Sequence, residues 1–82
     1  MCKIKCEIED GLIPSEKVAR ITTVGGKREE VAVSDQLVDM RAGAIVASEV
    51  GRSKDGHVLV ELPRESASGR WRIWVEGDLV LA

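Results

Sequence analysis

Residues 2–8 read Cys-Lys-Ile-Lys-Cys-Glu-Ile, an unbroken alternation of apolar and charged side chains. A period of two is typical of a β-strand that buries one of its faces. We therefore expect the chain to open as a strand whose cysteines and isoleucines face inward and whose charged residues face outward.

The spacing of the two cysteines limits what they can do together. Along an extended strand Cys2 and Cys6 would lie about 13 Å apart, at roughly 3.3 Å per residue. A disulfide needs Cα atoms within about 7 Å, so the pair cannot bridge within one molecule, and the same distance excludes a shared metal ion. Two thiols that cannot pair fit a reducing compartment, so we expect a cytoplasmic protein.

The composition describes a short chain with an aliphatic core. Of its 82 residues only Trp71 and Trp74 are aromatic, so Val, Ile and Leu must fill the core, and these residues favour strands. The net charge is −2 and both signs are interspersed, which does not indicate a dedicated nucleic-acid binder. No apolar run approaches the length of about 20 residues that crosses a bilayer. We expect one β-domain spanning residues 1–82, with no membrane partner.

Turn signals divide the rest of the chain into short strands. Gly25-Gly26 predicts a hairpin between two β-prone runs, with Glu29 on the same strand face as Val31 and Val33. Ser34 could cap, and Gly43 could end, a short helix near residues 35–41. The predicted strands after the first are 17–24, 27–34, 44–50, 57–62, 70–76 and 79–82. This pattern predicts an all-β fold, a small antiparallel barrel or sandwich of six to seven short strands with at most one short helix.

Catalytic patterns are scarce. The run 25–27 lacks the spacing of a phosphate-binding loop, and no Gly-x-Ser-x-Gly elbow occurs. Glu29 and Glu30 lie on opposite strand faces, and His57 is distant in sequence from both cysteines. We therefore predict a protein that is not an enzyme, with no catalytic residues and no cofactor.

The segment 70–74 carries both tryptophans between arginines. Alternation places Arg70, Arg72 and Trp74 on one face and Trp71 and Ile73 on the other, so we expect Trp71 to lie in the core.

Two interpretations of the outward face remain open. An exposed indole between guanidinium groups can stack on the bases of single-stranded nucleic acid, with Arg70, Arg72 and Trp74 as the binding residues. Alternatively, Trp74 covers one end of the barrel and Arg72 pairs locally with Glu61 or Glu76. The acidic balance of the chain favours the second interpretation.

The N-terminus offers a different chemistry. If Met1 is removed, Cys2 carries a free amine beside its thiol, and this pair can hold a soft metal or attack an electrophile. The alternative is that Cys2, like Cys6, is a small hydrophobic residue on the buried face of the strand.

Three segments resemble the small hydrogenase-maturation chaperones of the HypC type. They are Met1-Cys2, the run 18–31 (VARITTVGGKREEV) and the run 42–51 (AGAIVASEVG), so the resemblance covers about the first fifty residues. It implies a small β-barrel whose Cys2 helps to carry an iron-ligand unit to a partner enzyme. The chain differs from that family at residues 3–6, and it has predicted strands where the family has an acidic C-terminal helix.

These observations predict a non-catalytic β-domain that acts through contacts with another macromolecule, which we expect to be another protein or a second copy of the chain. The first alternative is a metallocentre-maturation chaperone in which Cys2 is the metal ligand. The second is a single-stranded nucleic-acid binder, although the charge balance disfavours nucleic acid as a partner.

Overall fold

The computed structural model describes residues 1–81 as an all-β molecule, which confirms the predicted fold class. The strands of this part of the chain are β1 (Cys2–Lys5), β2 (Glu7–Asp10), β3 (Glu16–Thr22), β4 (Arg28–Ser34), β5 (Val38–Asp39), β6 (Ala44–Arg52), β7 (His57–Glu61), β8 (Arg72–Glu76) and β9 (Val80–Leu81). Two single-turn 3₁₀ helices span Asp35–Leu37 and Gly77–Leu79. Among these residues, no helix has both the length and the apolar character that crossing a membrane requires.

The strands form two antiparallel sheets around one core. The larger sheet has the order β8-β7-β6-β1-β9, with β5 paired to β6, and the smaller has the order β2-β3-β4. Both sheets supply the core, which is aliphatic throughout as the composition requires. Its largest fully buried side chains are Ile4, Ile21, Ile45, Val31, Val33, Val58, Val60 and Val75.

The opening segment is not one continuous strand as predicted, because it leaves one sheet and enters the other at Cys6. β1 pairs with β6 and β9, whereas β2 pairs with β3. At the break the Cys6 N–H donates to the Gly43 carbonyl, 2.9 Å away. Strands that pass between two packed sheets bend in this way at the corner. The inward orientation is confirmed for Ile4, which is fully buried, and for both cysteines, which are free thiols that pack against the core, whereas Ile8 is only half-buried.

The hairpin predicted at Gly25-Gly26 is present, and a second hairpin joins β6 to β7. β3 and β4 pair from Glu16↔Ser34 to Thr22↔Arg28, and β6 pairs with β7. The first hairpin turns through a five-residue loop, 23–27, in which Gly25 and Gly26 have φ angles of +93° and +87°. Side chains with a Cβ rarely adopt these angles, which explains the paired glycines.

The predicted helix is reduced to a single 3₁₀ turn. The Ser34 hydroxyl accepts a hydrogen bond from the Gln36 N–H at 3.3 Å, as expected of a capping residue. The chain then becomes extended, because Val38 and Asp39 pair with Ile45 and Ala44 of β6. Pairing with β6 is thus more favourable here than a helix of two turns, which is too short to be stable by itself.

The two sheets meet a second time between β4 and β8, at a boundary that we call the seam. Within residues 1–81 no strand ladder crosses the seam, and two backbone hydrogen bonds link its sides. The Val24 N–H donates to the Trp74 carbonyl at 2.9 Å, and the Ala67 N–H donates to the Glu30 carbonyl at 2.8 Å. The fold is therefore a barrel that is only weakly bonded at the seam.

Candidate functional site

A cleft of about 200 Å³ opens at the seam, and it brings together the residues that the sequence suggested for nucleic-acid binding. Its lining comes from the β3–β4 loop, from β4, from the loop before β8 and from β8 itself. The lining residues are Thr23, Val24, Lys27, Glu29, Arg70, Arg72, Ile73 and Trp74.

Trp74 lies on the outer face of β8, and 43% of its surface is exposed. Its cross-strand neighbour is Leu59 of β7, and its carbonyl is held by the Val24 N–H. The indole is therefore fixed to a well-paired strand on one side and open to solvent on the other. An anchored aromatic ring is suited to contact a partner with little loss of conformational entropy.

The predicted core position of Trp71 is wrong, because 51% of this residue is exposed. β8 begins at Arg72, so the alternation that buries Ile73 and Val75 does not extend back to Trp71. The Trp71 carbonyl still accepts a hydrogen bond from the Leu62 N–H at 2.8 Å. Both aromatic residues of the protein are thus on the surface, and Trp71 does not line the cleft.

Each arginine of the cleft is paired with a carboxylate. Arg72 Nη2 lies 3.2 Å from Glu61 Oε2 on β7, which confirms one of the two local pairings expected for this residue. Arg70 Nε lies 3.8 Å from Glu29 Oε2. These pairs reduce the positive potential that a phosphate backbone would meet.

Glu29 is the most deeply placed charged group of the cleft, with only 12% of its side chain exposed. Its Oε1 accepts hydrogen bonds from Ser68 Oγ at 2.5 Å and from Ser66 Oγ at 2.8 Å. The Ser66 hydroxyl also accepts a bond from the Arg70 N–H at 3.0 Å. We call Glu29, Ser66, Ser68 and Arg70 the clasp, because they join β4 to the loop before β8.

The clasp keeps Glu29 ionised. The hydrogen bond from Ser68, together with that from Ser66 and the charges of Arg70 and Lys27, lowers the pKa of the Glu29 carboxyl, while burial acts in the opposite direction. Sequence reasoning did not assign Glu29 to a site. The alternation of β4 could have identified it, because it places the Glu29 carboxylate on the same inward face as two valines, where a charged group requires hydrogen-bond or ion-pair partners.

Lys27 is the second residue of the cleft that sequence reasoning missed. It lies in the β3–β4 loop, and among the described residues no ion pair with it falls within 4.0 Å. The cleft and its rim carry three positive charges, on Lys27, Arg70 and Arg72. The carboxylates of Glu29 and Glu61 balance two of them, which leaves a net charge of +1. The surface can accept an apolar group beside Trp74 and a single anionic group beside Lys27.

The candidate metal ligand Cys2 lies far along the chain from this cleft, on β1. It is half-buried, and burial followed by the nearby Glu49 carboxylate raises the pKa of its thiol. Burial raises the pKa of the Cys6 thiol to about 11. At neutral pH both sulfurs are therefore protonated and poor nucleophiles with Met1 in place. Within residues 1–81 no three side chains of His, Cys, Asp or Glu converge in a geometry that could hold a metal ion.

His57, the only histidine, lies at the start of β7 with its Nε2 3.1 Å from Glu76 Oε1 on β8. This is a cross-strand pair on the outer face of the sheet. Arg64, which precedes the clasp, pairs with Glu16 at 3.4 Å rather than extending the positive surface of the cleft.

Comparison with known proteins identifies no relative, because no family model, curated protein or solved structure matches the chain.

Proposed function

We propose that the protein is a small non-catalytic binding module and that the seam cleft is where it contacts a partner protein. The observation that carries this proposal is the exposure of Trp74 at the cleft, in a protein whose described core contains no aromatic residue. A thin core gains most from burying its largest apolar side chains, so leaving the indole of Trp74 in water is a stability cost. Trp and Arg are also the residues that most often dominate protein interfaces.

The charges of the cleft favour a protein partner over nucleic acid. Arg70 and Arg72 are each within ion-pair distance of a carboxylate, and ionised Glu29 would repel a phosphate placed beside it. Nucleic-acid binding without sequence preference instead needs a groove of uncompensated cations along several phosphates. We infer a partner segment that places an apolar side chain against Trp74 and one carboxylate near Lys27.

The test uses the two tryptophans as a matched pair. The wild-type protein, Trp74→Ala and Trp71→Ala are used to recover binding partners from the native host, and the affinity of each recovered protein is then measured. We expect Trp74→Ala to weaken binding at least about 30-fold, corresponding to a hot-spot loss of roughly 2 kcal/mol. Trp71→Ala removes the same side chain outside the cleft and should bind like the wild type.

A second titration addresses the nucleic-acid alternative. In a Trp71→Phe variant Trp74 is the only indole, so its fluorescence reports directly on contacts at the cleft. Quenching by a single-stranded oligonucleotide at low salt, together with weaker binding of a labelled oligonucleotide by Trp74→Ala, would replace the protein partner by nucleic acid. Equal partner affinity of Trp74→Ala and the wild type would remove the cleft as the binding surface.

The chaperone alternative places the function at Cys2 and makes a separate prediction. Cys2→Ala should fold normally and lose iron or partner binding, whereas Cys6→Ala keeps both. Equal binding by Cys2→Ala and the wild type would exclude this role.

A further inference from the structure

The outer edge of β2 is a strand edge whose backbone groups are unpaired within the described residues. In the β2–β3 ladder Glu9 is opposite Val18, and the Gly11 N–H continues the same register by donating to the Glu16 carbonyl at 3.0 Å. In an antiparallel pair the hydrogen-bonding groups of successive residues point to opposite edges. The backbone groups of Glu7 and Glu9 therefore face β3, and those of Ile8 and Asp10 face away from it.

Nothing in residues 1–81 continues the sheet on that side. The Cys6 N–H, which points to the same edge, donates to the Gly43 carbonyl, and the chain beyond Gly43 runs along β1 instead. β2 is consequently the terminal strand of its sheet. An unprotected edge of this kind is a template for another strand, and proteins usually cover or blunt such edges.

Exposed apolar side chains lie at both ends of this edge. At the Asp10 end the chain continues into Leu12, which is 99% exposed, and Ile13. At the Cys6 end the turn that finishes at Gly43 carries Met40, which is 64% exposed. A strand lying along β2 would find apolar contacts beyond each end of its backbone pairing.

The charge of the edge selects the partner. Three of the four β2 residues are acidic, and the cations that pair with them, Lys17, Arg20 and Arg28, come from β3 and β4, on the side away from the open edge. Because Arg20 is shared with Glu30, these ion pairs leave one negative charge in excess. The carboxylate of Asp10 is the most accessible, with 91% of its side chain exposed.

A second copy of the chain does not fit this edge. Antiparallel pairing centred on Ile8 would place Glu7 of one copy directly opposite Glu9 of the other, twice by symmetry. Like charges in opposite positions destabilise a strand pair. The acidic residues thus act against self-association and in favour of a basic strand.

We propose that an extended segment of another protein, with lysine or arginine at alternate outward positions, adds to the β2 edge as a further strand. Main-chain hydrogen bonds to Ile8 and Asp10 provide the affinity, and Glu7 and Glu9 select the basic side chains. This surface is separate from the seam cleft, so its occupation does not depend on the function proposed for Trp74.

The first experiment measures amide hydrogen exchange by NMR. In the free protein the Ile8 and Asp10 amides should exchange rapidly, and those of Glu7 and Glu9 slowly. The probe is a synthetic peptide of about eight alternating valine and lysine residues, long enough to cover β2. Its addition should protect the Ile8 and Asp10 amides. If these two amides are already protected in the free protein at millimolar concentration, the edge is covered by a second copy or by the chain itself, and the proposal is wrong.

The second experiment removes one edge donor and keeps the fold. Asp10→Pro deletes an N–H that faces outward, a position where a strand tolerates proline, and Asp10→Asn removes the same charge and keeps the N–H. We expect Asp10→Pro to bind the peptide at least tenfold more weakly than Asp10→Asn, with Trp74→Ala binding like the wild type. A peptide N-methylated at alternate residues keeps its charge and should not bind. Equal binding by the two Asp10 variants, equal binding of the methylated peptide, or no binding of the probe at about 1 mM would each overturn the proposal.

Discussion

The two sides of the barrel are held together by different kinds of interaction. On one side β6, β7 and β8 form antiparallel ladders over fully buried Val58, Val60 and Val75, with one register shift in β6 between Glu49 and Gly51. At the seam, two backbone hydrogen bonds and the clasp join the two sheets in place of a ladder. In a ladder the backbone N–H and C=O groups bond to each other, so few of them remain free to bond to a partner. The seam, which no ladder closes, presents an indole and three cations to the outside, with the half-buried carboxylate of Glu29 beneath them.

The largest loss of stability should come from a cavity in the core beneath β6. Ile45 of β6 is fully buried and lies opposite Ile4 of β1. Ile45→Ala should lower the free energy of unfolding by about 2–5 kcal/mol, because it removes buried methyl groups and leaves a cavity. Chemical denaturation measures this loss.

Val46 supplies the control, since it is the next residue and points to the other face of β6. Val46→Ala should cost about 1 kcal/mol or less. Comparable losses of unfolding free energy for Ile45→Ala and Val46→Ala would show that the two faces of β6 do not differ in burial.

Breaking the clasp should have the next largest effect. Glu29→Gln removes the charge that accepts two hydroxyl hydrogen bonds, and we expect a loss of about 1–3 kcal/mol at neutral pH. Glu65→Gln, an exposed residue in the neighbouring loop, removes the same charge outside the clasp and should change stability by less than about 0.5 kcal/mol.

The effect of Glu29→Gln should depend on pH in a defined direction. The pKa of Glu29 is lowered in the folded protein, so its stabilisation is fully present above the ordinary glutamate pKa of about 4.3 and is lost as pH falls through the lower folded-state value. The gap in unfolding free energy between wild type and Glu29→Gln should therefore be constant above about pH 5.5 and shrink in acid. A gap that widens in acid would contradict an ionised clasp.

A smaller difference should separate the amides of the two sides. The Val24 N–H crosses the seam as a single bond to Trp74, whereas the Val60 N–H lies within the β7–β8 ladder. Local opening should expose Val24 at least about tenfold more often than Val60, a difference of roughly 1.4 kcal/mol in opening free energy. Native-state hydrogen exchange measures both, and equal protection would mean that the seam opens only with the whole barrel.

The smallest effect is expected at the rim of the cleft. The Arg72 and Glu61 side chains are about half exposed, so Arg72→Ala should change the free energy of unfolding by no more than about 1 kcal/mol. Thermal denaturation of the variant checks this. A loss above about 2 kcal/mol would assign the Arg72–Glu61 pair to holding β8 against β7 rather than to the contact surface.

Local patterns in the sequence predicted most of the strands. Alternation in residues 2–8 and 57–62, and the glycines at 25 and 26, act over a few residues and are visible without a fold. The bend at Cys6 was missed because the alternation runs through it unchanged, and only the positions of β3, β6 and β9 show that the strand changes partners there. Trp71 was placed in the core because a period of two does not reveal that β8 starts at Arg72, two residues after the predicted start.

The candidate site was predicted in part. Arg70, Arg72 and Trp74 share a strand face by alternation alone. Lys27 and Glu29 join them only through contacts that span about forty residues of sequence, such as the bonds from Ser66 and Ser68 to Glu29. Long-range contacts of this kind leave no periodic signal in the chain.

The sequence by itself determined that this protein is an all-β molecule with an aliphatic core and with two cysteines facing inward, because side-chain alternation and the conformational freedom of glycine are local properties. Only the tertiary structure decided that the two sheets share a bent first strand, that Trp71 remains in water like Trp74, and that the seam and the β2 edge stay open. These features depend on which strand edges meet, and that depends on closing the whole barrel around a core too thin to bury every apolar side chain.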